Sequence, residues 1–476
     1  MNDFNRGNEL LRKGKVEEAV AAYQKAIAHD PSFHWYHQKL GEAFEELQHW
    51  EKAIAAYLRA IQLRPNGTYF MSSLNRVLAE PSKVLKLSPI HPSEIARTDD
   101  ENLIFSSAIS ENIDFLEVNS SEPEKLAIKS GSNLIKAACF SSSSTYDSCF
   151  PEEQSYTLHP VYWVRLPWSL IFPRDSLVIS QFSKYWPDSL YLVNWSALPQ
   201  ITRAGPEMLQ IKTPIKPRII HEPTILLTSY TYVNYYHWHV NILPIAFSLK
   251  DKINLGKLRV ISSNLNHWQT RSLQVLGIDC SRVEQVGQTT LLCRSLIYSS
   301  HLYASSFPPS QLVKSMFDSL KKSGEKNAYK KGDRFPELIL ISREDSPNNR
   351  KLLNEDEVYK ALAPLGFVKV VAGRLSYEQQ IQTFARAKVI VAQHGAGLTN
   401  MGFAPSGCKV IEIFSENYVN NCFWRLSLTL GHQYAYVINE VDEKYKNLPR
   451  NQVKFSAPID AIVNAVSQSS PCSNPP

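Results

Sequence analysis

Apolar residues recur at three- and four-residue steps through EEAVAAYQKAIAHDP and again through EKAIAAYLRAIQLRP. That spacing places them along one face of an amphipathic helix. A shift of 34 residues superimposes the two segments without a gap and lays Gly7 on Gly41, Ala19 on Ala53, Tyr23 on Tyr57, Ala26 on Ala60 and Pro31 on Pro65. Each repeat therefore reads as a helix pair: glycine and alanine allow close approach, tyrosine fills the gap between pairs, and proline ends the second helix. Two such units do not bury a continuous core alone. The segment TYFMSSLNRVL, from Thr68 to Leu78, has the apolar residues for a capping helix, with Pro81 as its stop. Solenoids of this kind either hold a partner in their concave face or hold domains together. The repeat resembles the tetratricopeptide repeat.

Beyond residue 81 the pattern changes. Serine-rich patches (Ser120 and Ser121, then Ser141 to Ser144) interrupt short apolar runs, the texture of a linker merging into short strands at the start of a new domain over 81–150. From about residue 155, aromatic and β-branched runs such as TLHPVYWVRLPWSLIF and SLYLVNW predict strands. Strand-like and helix-like runs then alternate: PTILLTS before LPIAFSL, KLRVISS before WQTRSLQVLG, then SLIYSS. A second alternating unit begins near Phe335, with strands ELILISR, FVKVVAG, KVIVAQ and KVIEIF and helices DEVYKALAPLG and SYEQQIQTFARA. The polar stretch from Lys321 to Arg334 between them reads as a solvated linker. Alternation implies parallel sheets covered by helices. The expected fold is thus α/β with two Rossmann-like lobes, 151–330 and 331–470, after an all-α segment at 1–80. Ligands of open α/β sheets sit beyond the carboxyl ends of the strands, so the loops after ELILIS, KVIVA and KVIEIF are the places to look.

Composition narrows the function classes. The chain has 476 residues, enough for about three domains, with ordinary globular usage of apolar (43%) and charged (20%) residues. A net charge of +6 without a run of like charges excludes a dedicated nucleic-acid arm. The opening MNDFNRGNELLRKGK lacks an apolar signal region, and no apolar stretch is long enough to span a bilayer, so the expected location is the cytoplasm. Seven scattered cysteines without a C-x-x-C pair suit reduced apolar side chains, not zinc or a disulfide framework.

Three segments carry candidate chemistry. In KVIVAQHGAGLTNMGFAPSG a strand runs into His394, Gly395, Ala396 and Gly397, with a helix expected from about Leu398. The glycines permit tight turning, and the exposed amides of the helix favour an anion, which makes a diphosphate cradle. Neither G-x-G-x-x-G nor GK[ST] is present, which removes the dinucleotide and P-loop readings. In ISREDSPNNR, Arg343 and Arg350 follow a buried strand, and guanidinium forks grip phosphate oxygens. No D-x-D triplet is available to hold a magnesium on a nucleotide diphosphate. In YTYVNYYHWHVNILP, a helix starting near Tyr235 puts His237 and Asn241 on one face and His239 elsewhere. H-x-H without a third spaced ligand is poor material for zinc.

Taken in order, N-Y-Y-H-W…LP, ISR…NNRKLLNEDEV and LSYEQQIQTFARAKVIVAQHGAGLTNMGFAPSGCKVIEIF resemble glycosyltransferase family 61 over about residues 150–465. The resemblance implies an inverting, two-lobed GT-B transferase that uses a nucleotide sugar, needs no metal or other cofactor, and acts on a glycan, lipid-linked or protein acceptor. The N-terminal lobe would then hold the acceptor and the C-terminal lobe the donor. It makes Arg343 and Arg350 candidates for the donor diphosphate, His394, Gly395, Ala396, Gly397, Leu398 and Asn400 the donor loop, and Glu412 a candidate for the nucleotide ribose. Four positions after the motif histidine the family usually has Asp, where this chain has Asn241. The base that takes the acceptor proton is then His237 or His239, or Glu222 just before a strand. Asn241 also leaves open a scaffold or sensor in which the repeats recruit a partner and a degenerate lobe binds the nucleotide sugar.

Overall fold

The computed structural model describes residues 2–64, 67–79, 217–299, 311–326 and 335–467, apart from 230, 288, 347–349, 442, 450 and 451, and places short strands between 84 and 211. Most of the segment 81–150, the run SLYLVNW and residues 327–334 lie outside the described residues.

The repeats form four helices, α1 (Asp3–Arg12), α2 (Val16–His29), α3 (His34–Glu46) and α4 (Trp50–Leu63), followed by the expected cap, α5 (Thr68–Ala79). The 34-residue coincidence is explained by one contact made twice. A Cβ on Gly7 would lie 2.6 Å from the Tyr23 ring, and one on Gly41 would lie 2.5 Å from the Tyr57 ring. Each tyrosine is fully buried and lays its ring over the glycine, which has no side chain to obstruct it. Their hydroxyls donate to Asn8 and Glu45, and Glu45 also receives two hydrogen bonds from Arg76 of the cap.

In the N-terminal sheet of the αβ region, β1 (Tyr162–Phe172) and β2 (Leu177–Ser180) pair antiparallel, and the earlier strand Ile113–Glu117 pairs with β1. Alternate residues of a strand face opposite sides. Leu177 and Ile179 join Trp168, Leu170 and Phe172 in one hydrophobic cluster with Phe70, Leu74, Val77 and Leu78 of α5, while Val178 belongs to the core on the other side. The repeats are therefore fastened to the back of this sheet.

Four parallel strands follow, β3 (Thr224–Leu226), β4 (Arg259–Ser262), β5 (Val283–Gln285) and β6 (Leu291–Ser299), in the order β5-β4-β3-β6, and β6 pairs antiparallel with β1. The second sheet is parallel throughout. It contains β7 (Leu338–Ile341), β8 (Val368–Val370), β9 (Val389–Gln393), β10 (Lys409–Ser415) and β11 (Gln433–Asn439) in the order β8-β7-β9-β10-β11. The apolar runs of β7, β9, β10 and β11 are buried on both faces, as parallel strands under helices require. The strand order reverses between β7 and β9, and that is where such sheets open a crevice for a ligand.

Residues Leu134–Lys136, in the stretch read as a linker merging into short strands, form a strand that pairs in parallel with β11 and so belongs to the C-terminal sheet. One expectation needs correction. The second linker, from Lys321, is helical as far as Lys326, because helix Gln311–Lys326 continues into it. Val313, Met316, Phe317 and Leu320 recur at helical spacing, are fully buried, and belong to one hydrophobic cluster with residues from both lobes. Phe317 fits where a Cβ on Gly402 would come within 2.3 Å.

Candidate functional site

A cleft of about 790 Å³ opens at the carboxyl ends of the C-terminal strands, with residues of both lobes in its walls. Arg343 follows β7, and His394 follows β9, on the two sides of the order reversal. The two arginines converge on one atom: Arg343 donates from Nη1 to the His394 carbonyl at 3.2 Å, and Arg350 donates from Nη2 to the same oxygen at 2.9 Å. Arg343 also donates to Ser346, and Arg350 lies 4.4 Å from the centre of the Tyr418 ring. The Nε atoms of both arginines are buried without a protein partner. Burial, and then repulsion from Arg350, lowers the Arg343 pKa to about 10, which leaves it cationic at neutral pH. A site with two fixed guanidinium groups and unspent donors suits a ligand with several anionic oxygens.

Gly395 is needed for this arrangement on steric grounds. Its backbone is extended, and a Cβ there would sit 1.4 Å from Arg343 Nη1. The helix expected from Leu398 is a 3₁₀ turn over Ala396–Phe403 and not an α-helix. Leu398 N–H reaches back to the Gly395 carbonyl, and the Asn400 side chain donates to the Gly397 carbonyl at 3.0 Å, which favours the tighter winding. Ala396, Gly397, Leu398 and Asn400 all line the cleft.

Glu412 is placed differently from the sequence expectation. It is fully buried beneath the floor, accepts from His394 Nδ1 at 2.5 Å and from the Tyr434 hydroxyl, and does not line the cleft. It is a positioning residue for His394, so a direct contact with a ribose is set aside.

The opposite wall begins with Asn234, whose side chain caps the turn by accepting from the N–H groups of Tyr236 and His237. A π-helical turn over Trp238–Ile242 follows. His237 lines the cleft, and its Nδ1 lies 3.0 Å from Asn241 Oδ1, so the predicted shared face is observed. Donation from Nδ1 leaves the lone pair on Nε2. Burial lowers the His237 pKa, partly offset by the Asn241 hydrogen bond, which favours the neutral imidazole. Asn241 itself is buried behind His237 and does not reach the cleft.

His239 is corrected on the same grounds. It is completely buried, with Nδ1 donating to the Tyr235 carbonyl and Nε2 accepting from the Tyr377 hydroxyl, both at 2.8 Å. Burial holds its pKa down at about 4. Both nitrogens are committed and neither faces the cleft, so it fastens the two lobes together and is no base. Tyr235 adds a second tie by donating to Asn400 at 3.1 Å. Glu222 is also remote: it pairs with Arg259 at 3.1 Å outside the cleft.

Residues 235–411 match the family model described as Glycosyltransferase 61. The chain carries a glycosyltransferase 61 domain. Residues 7–48 match a TPR repeat model and residues 34–66 a tetratricopeptide repeat model, so the helical segment is a tetratricopeptide segment. Among curated proteins, a beta-1,2-xylosyltransferase of Oryza sativa subsp. japonica is 40% identical over 125 residues, covering 24% of this chain and 20% of the relative. A second beta-1,2-xylosyltransferase of the same organism is 24% identical over 139 residues, covering 28% and 24%. A small glutamine-rich tetratricopeptide repeat-containing protein of Dictyostelium discoideum is 39% identical over 62 residues, covering 13% and 19%. The chain thus spans about a fifth to a quarter of the length of these relatives.

Several lining residues of the cleft escaped the sequence reading. Tyr418 and Phe423 follow β10, in a loop that the switch-point rule did single out, but no motif marks them. Trp268 and His267 come from the start of a helix in the opposite lobe. Asp345 is the one carboxylate among the described lining residues and lies in the field of Arg343.

Proposed function

We propose that this chain is an inverting glycosyltransferase that moves a sugar from a nucleotide-sugar donor without a metal. The observation that carries the reading is the pair Arg343 and Arg350, converging on one carbonyl with unspent buried donors at the switch point of a parallel sheet. Two lobes facing one cleft support the GT-B architecture, with the donor on the C-terminal side. The names of the two rice relatives support a pentosyl over a hexosyl donor. Four described cysteines, all unpaired, support a cytoplasmic setting. The tetratricopeptide match supports a protein partner for the repeats in addition to their docking role.

In this mechanism the acceptor hydroxyl gives its proton to His237 Nε2 as its oxygen bonds to the anomeric carbon. The bond from that carbon to the donor phosphate breaks with inversion, and its electron pair leaves on the diphosphate, held by Arg343 and Arg350. Asn241 keeps His237 in the tautomer that accepts at Nε2. Arg343→Ala is expected to weaken UDP binding roughly 10- to 150-fold by calorimetry, as for charge-assisted hydrogen bonds of about 1.5–3 kcal/mol, with the fold unchanged by circular dichroism. Unchanged affinity would sink the assignment. Turnover that persists in EDTA tests the metal-free part.

A second reading has its own observation. Asn241 orients His237 without the negative charge that a carboxylate would supply to the developing imidazolium. A nucleotide-sugar sensor with little turnover fits that loss. Asn241→Asp separates the two: a large gain in nucleotide release assigns the native chain to the sensor class, and no gain supports the native His237–Asn241 pair as sufficient.

A further inference from the structure

Under the floor of the cleft lies a chain of three titratable side chains, none of which moves a proton in the reaction above. His394 follows β9, Glu412 lies in β10 and Tyr434 in β11, so three adjacent parallel strands set them side by side. Glu412 is fully buried, and its Oε1 accepts from His394 Nδ1 at 2.5 Å while its Oε2 accepts from the Tyr434 hydroxyl. A carboxylate that accepts through both oxygens is ionised, and it fixes the imidazole proton on Nδ1. The other ring nitrogen, Nε2, has no partner among the described residues, and the side chain keeps 9% exposure where it lines the cleft. The ring is clamped: Phe414 stacks at 5.2 Å, and Tyr418 and Phe423 close around it at 5.2 and 5.5 Å. The carbonyl of the same residue takes both arginines. One residue thus carries the oxygen on which the cations converge and an unpartnered ring nitrogen in the same wall.

We propose that His394 is a third cationic group on the leaving diphosphate, an imidazolium backed by Glu412 whose Nε2–H donates to a phosphate oxygen, so that nucleotide binding takes up a proton. This rests on the transferase reading above and deepens it by adding a proton-carrying residue. With its proton on Nδ1, a neutral His394 turns a lone pair toward an anionic oxygen, and the two repel. A second proton, on Nε2, replaces that repulsion with a charge-assisted hydrogen bond. Glu412 stays ionised throughout, so the cation forms a compensated pair and not a lone buried charge. The surrounding charges give the same sign. Arg343 and Arg350, on the loop after β7, oppose a third cation, and an entering diphosphate reverses that balance. Tyr418 carries Arg350 over its ring. Burial keeps the Tyr434 and Tyr236 hydroxyls and the Cys422 thiol neutral, and Arg425 shares helix Cys422–Leu430 with that thiol. When the bond to the anomeric carbon breaks, its electron pair stays on the phosphate oxygen and the Nε2 proton passes to the diphosphate. His394 is left neutral, with Nδ1–H still on Glu412, and the acceptor proton is on His237. Glu412 acts through His394 and is a positioning residue.

The test is calorimetry of UDP with the full chain at about pH 8, where a terminal phosphate with a second pKa near 6 is already ionised, in buffers of different ionisation enthalpy. The dependence of the heat on the buffer counts the protons exchanged. The native chain is expected to take up a measurable fraction of a proton, and its UDP affinity to fall by up to about tenfold per pH unit above that pH. His394→Gln is expected to abolish the uptake, flatten the slope and weaken UDP roughly tenfold near neutral pH. Glu412→Gln, which keeps the shape of the side chain, is expected to reduce the uptake, whereas a merely structural Glu412 would change the melting temperature and leave the uptake alone. UDP binding without proton exchange in the native chain, or an uptake that persists in His394→Gln, overturns the proposal, and neither result depends on Glu412→Gln folding. An uptake unchanged in a folded Glu412→Gln removes Glu412 from the relay. UDP that does not bind the native chain at all is a different result, which sinks the transferase reading and this proposal with it.

Discussion

The two walls of the cleft present their ligands with opposite materials. The C-terminal wall is cationic and recessed: Arg350 is only 8% exposed, and the carbonyl on which both arginines converge belongs to a histidine whose ring is tied to a fully buried carboxylate. The N-terminal wall is aromatic, polar at its edges and more open, with one imidazole set against an amide. Recessed charge is expensive to desolvate and worth that cost only when a multiply charged ligand enters. An open aromatic surface tolerates ligands that differ in detail. The contrast teaches that the two walls suit different ligands, the recessed guanidinium pair a multiply charged anion and the open aromatic wall a neutral group.

The largest test of this division is His237→Ala. Nucleotide release in the presence of acceptor is expected to fall roughly 10²- to 10⁴-fold, the usual worth of a general base, while UDP affinity by calorimetry stays the same. Because burial lowers the His237 pKa, the acid limb of the kcat/KM profile is expected below the ordinary histidine value of about 6.5. A limb at or above that value points to another base. Gly395→Ala comes next and acts only on the other wall. The new Cβ displaces Arg343, so UDP binding should weaken by about 1.5–3 kcal/mol with the melting temperature close to native. Unchanged UDP affinity would separate the arginine pair from nucleotide binding.

Acid stability provides a third and broader test. His239 in one lobe and His432 in the other are both held at about 4 by burial, His432 while donating to the Met401 carbonyl. Below the unfolded value of about 6.5 the unfolded chain binds protons that the folded chain refuses, so stability is full above that pH and is lost as the pH falls toward 4. Melting temperatures measured across this window should drop, and less so in His239→Leu. The smallest effect is expected for Tyr377→Phe. Removing the hydroxyl that reaches His239 costs about 1 kcal/mol in urea unfolding and leaves UDP affinity close to native.

The parts legible in the sequence were those written in local periodicity. The 34-residue repeat exposed the Gly7–Tyr23 and Gly41–Tyr57 contacts as aligned positions, although not as partners. Apolar runs located β7, β9 and β10 to within a residue or two, and a four-residue step paired His237 with Asn241. What escaped depends on residues far apart in the chain. His239 and Tyr377 are separated by 138 positions and Glu412 and Tyr434 by 22, so nothing local distinguishes a pinned histidine from a base or a buried carboxylate from a solvated one. Trp268 looked like any core residue of an amphipathic helix, because a ring that faces a cleft has the same periodicity as one that faces the interior.

Strand Leu134–Lys136 carries a consequence for how the molecule comes apart. It lies in the chain between two strands of the near sheet, Ile113–Glu117 and β1, but beside β11 in space, so the polypeptide leaves the near sheet to lace the far one and then returns. Severing one peptide bond near residue 330 would therefore yield two fragments that still share a sheet and a hydrophobic core and stay together after nicking. Expressing residues 331–470 alone would instead leave the β11 edge bare and ready to pair with another chain.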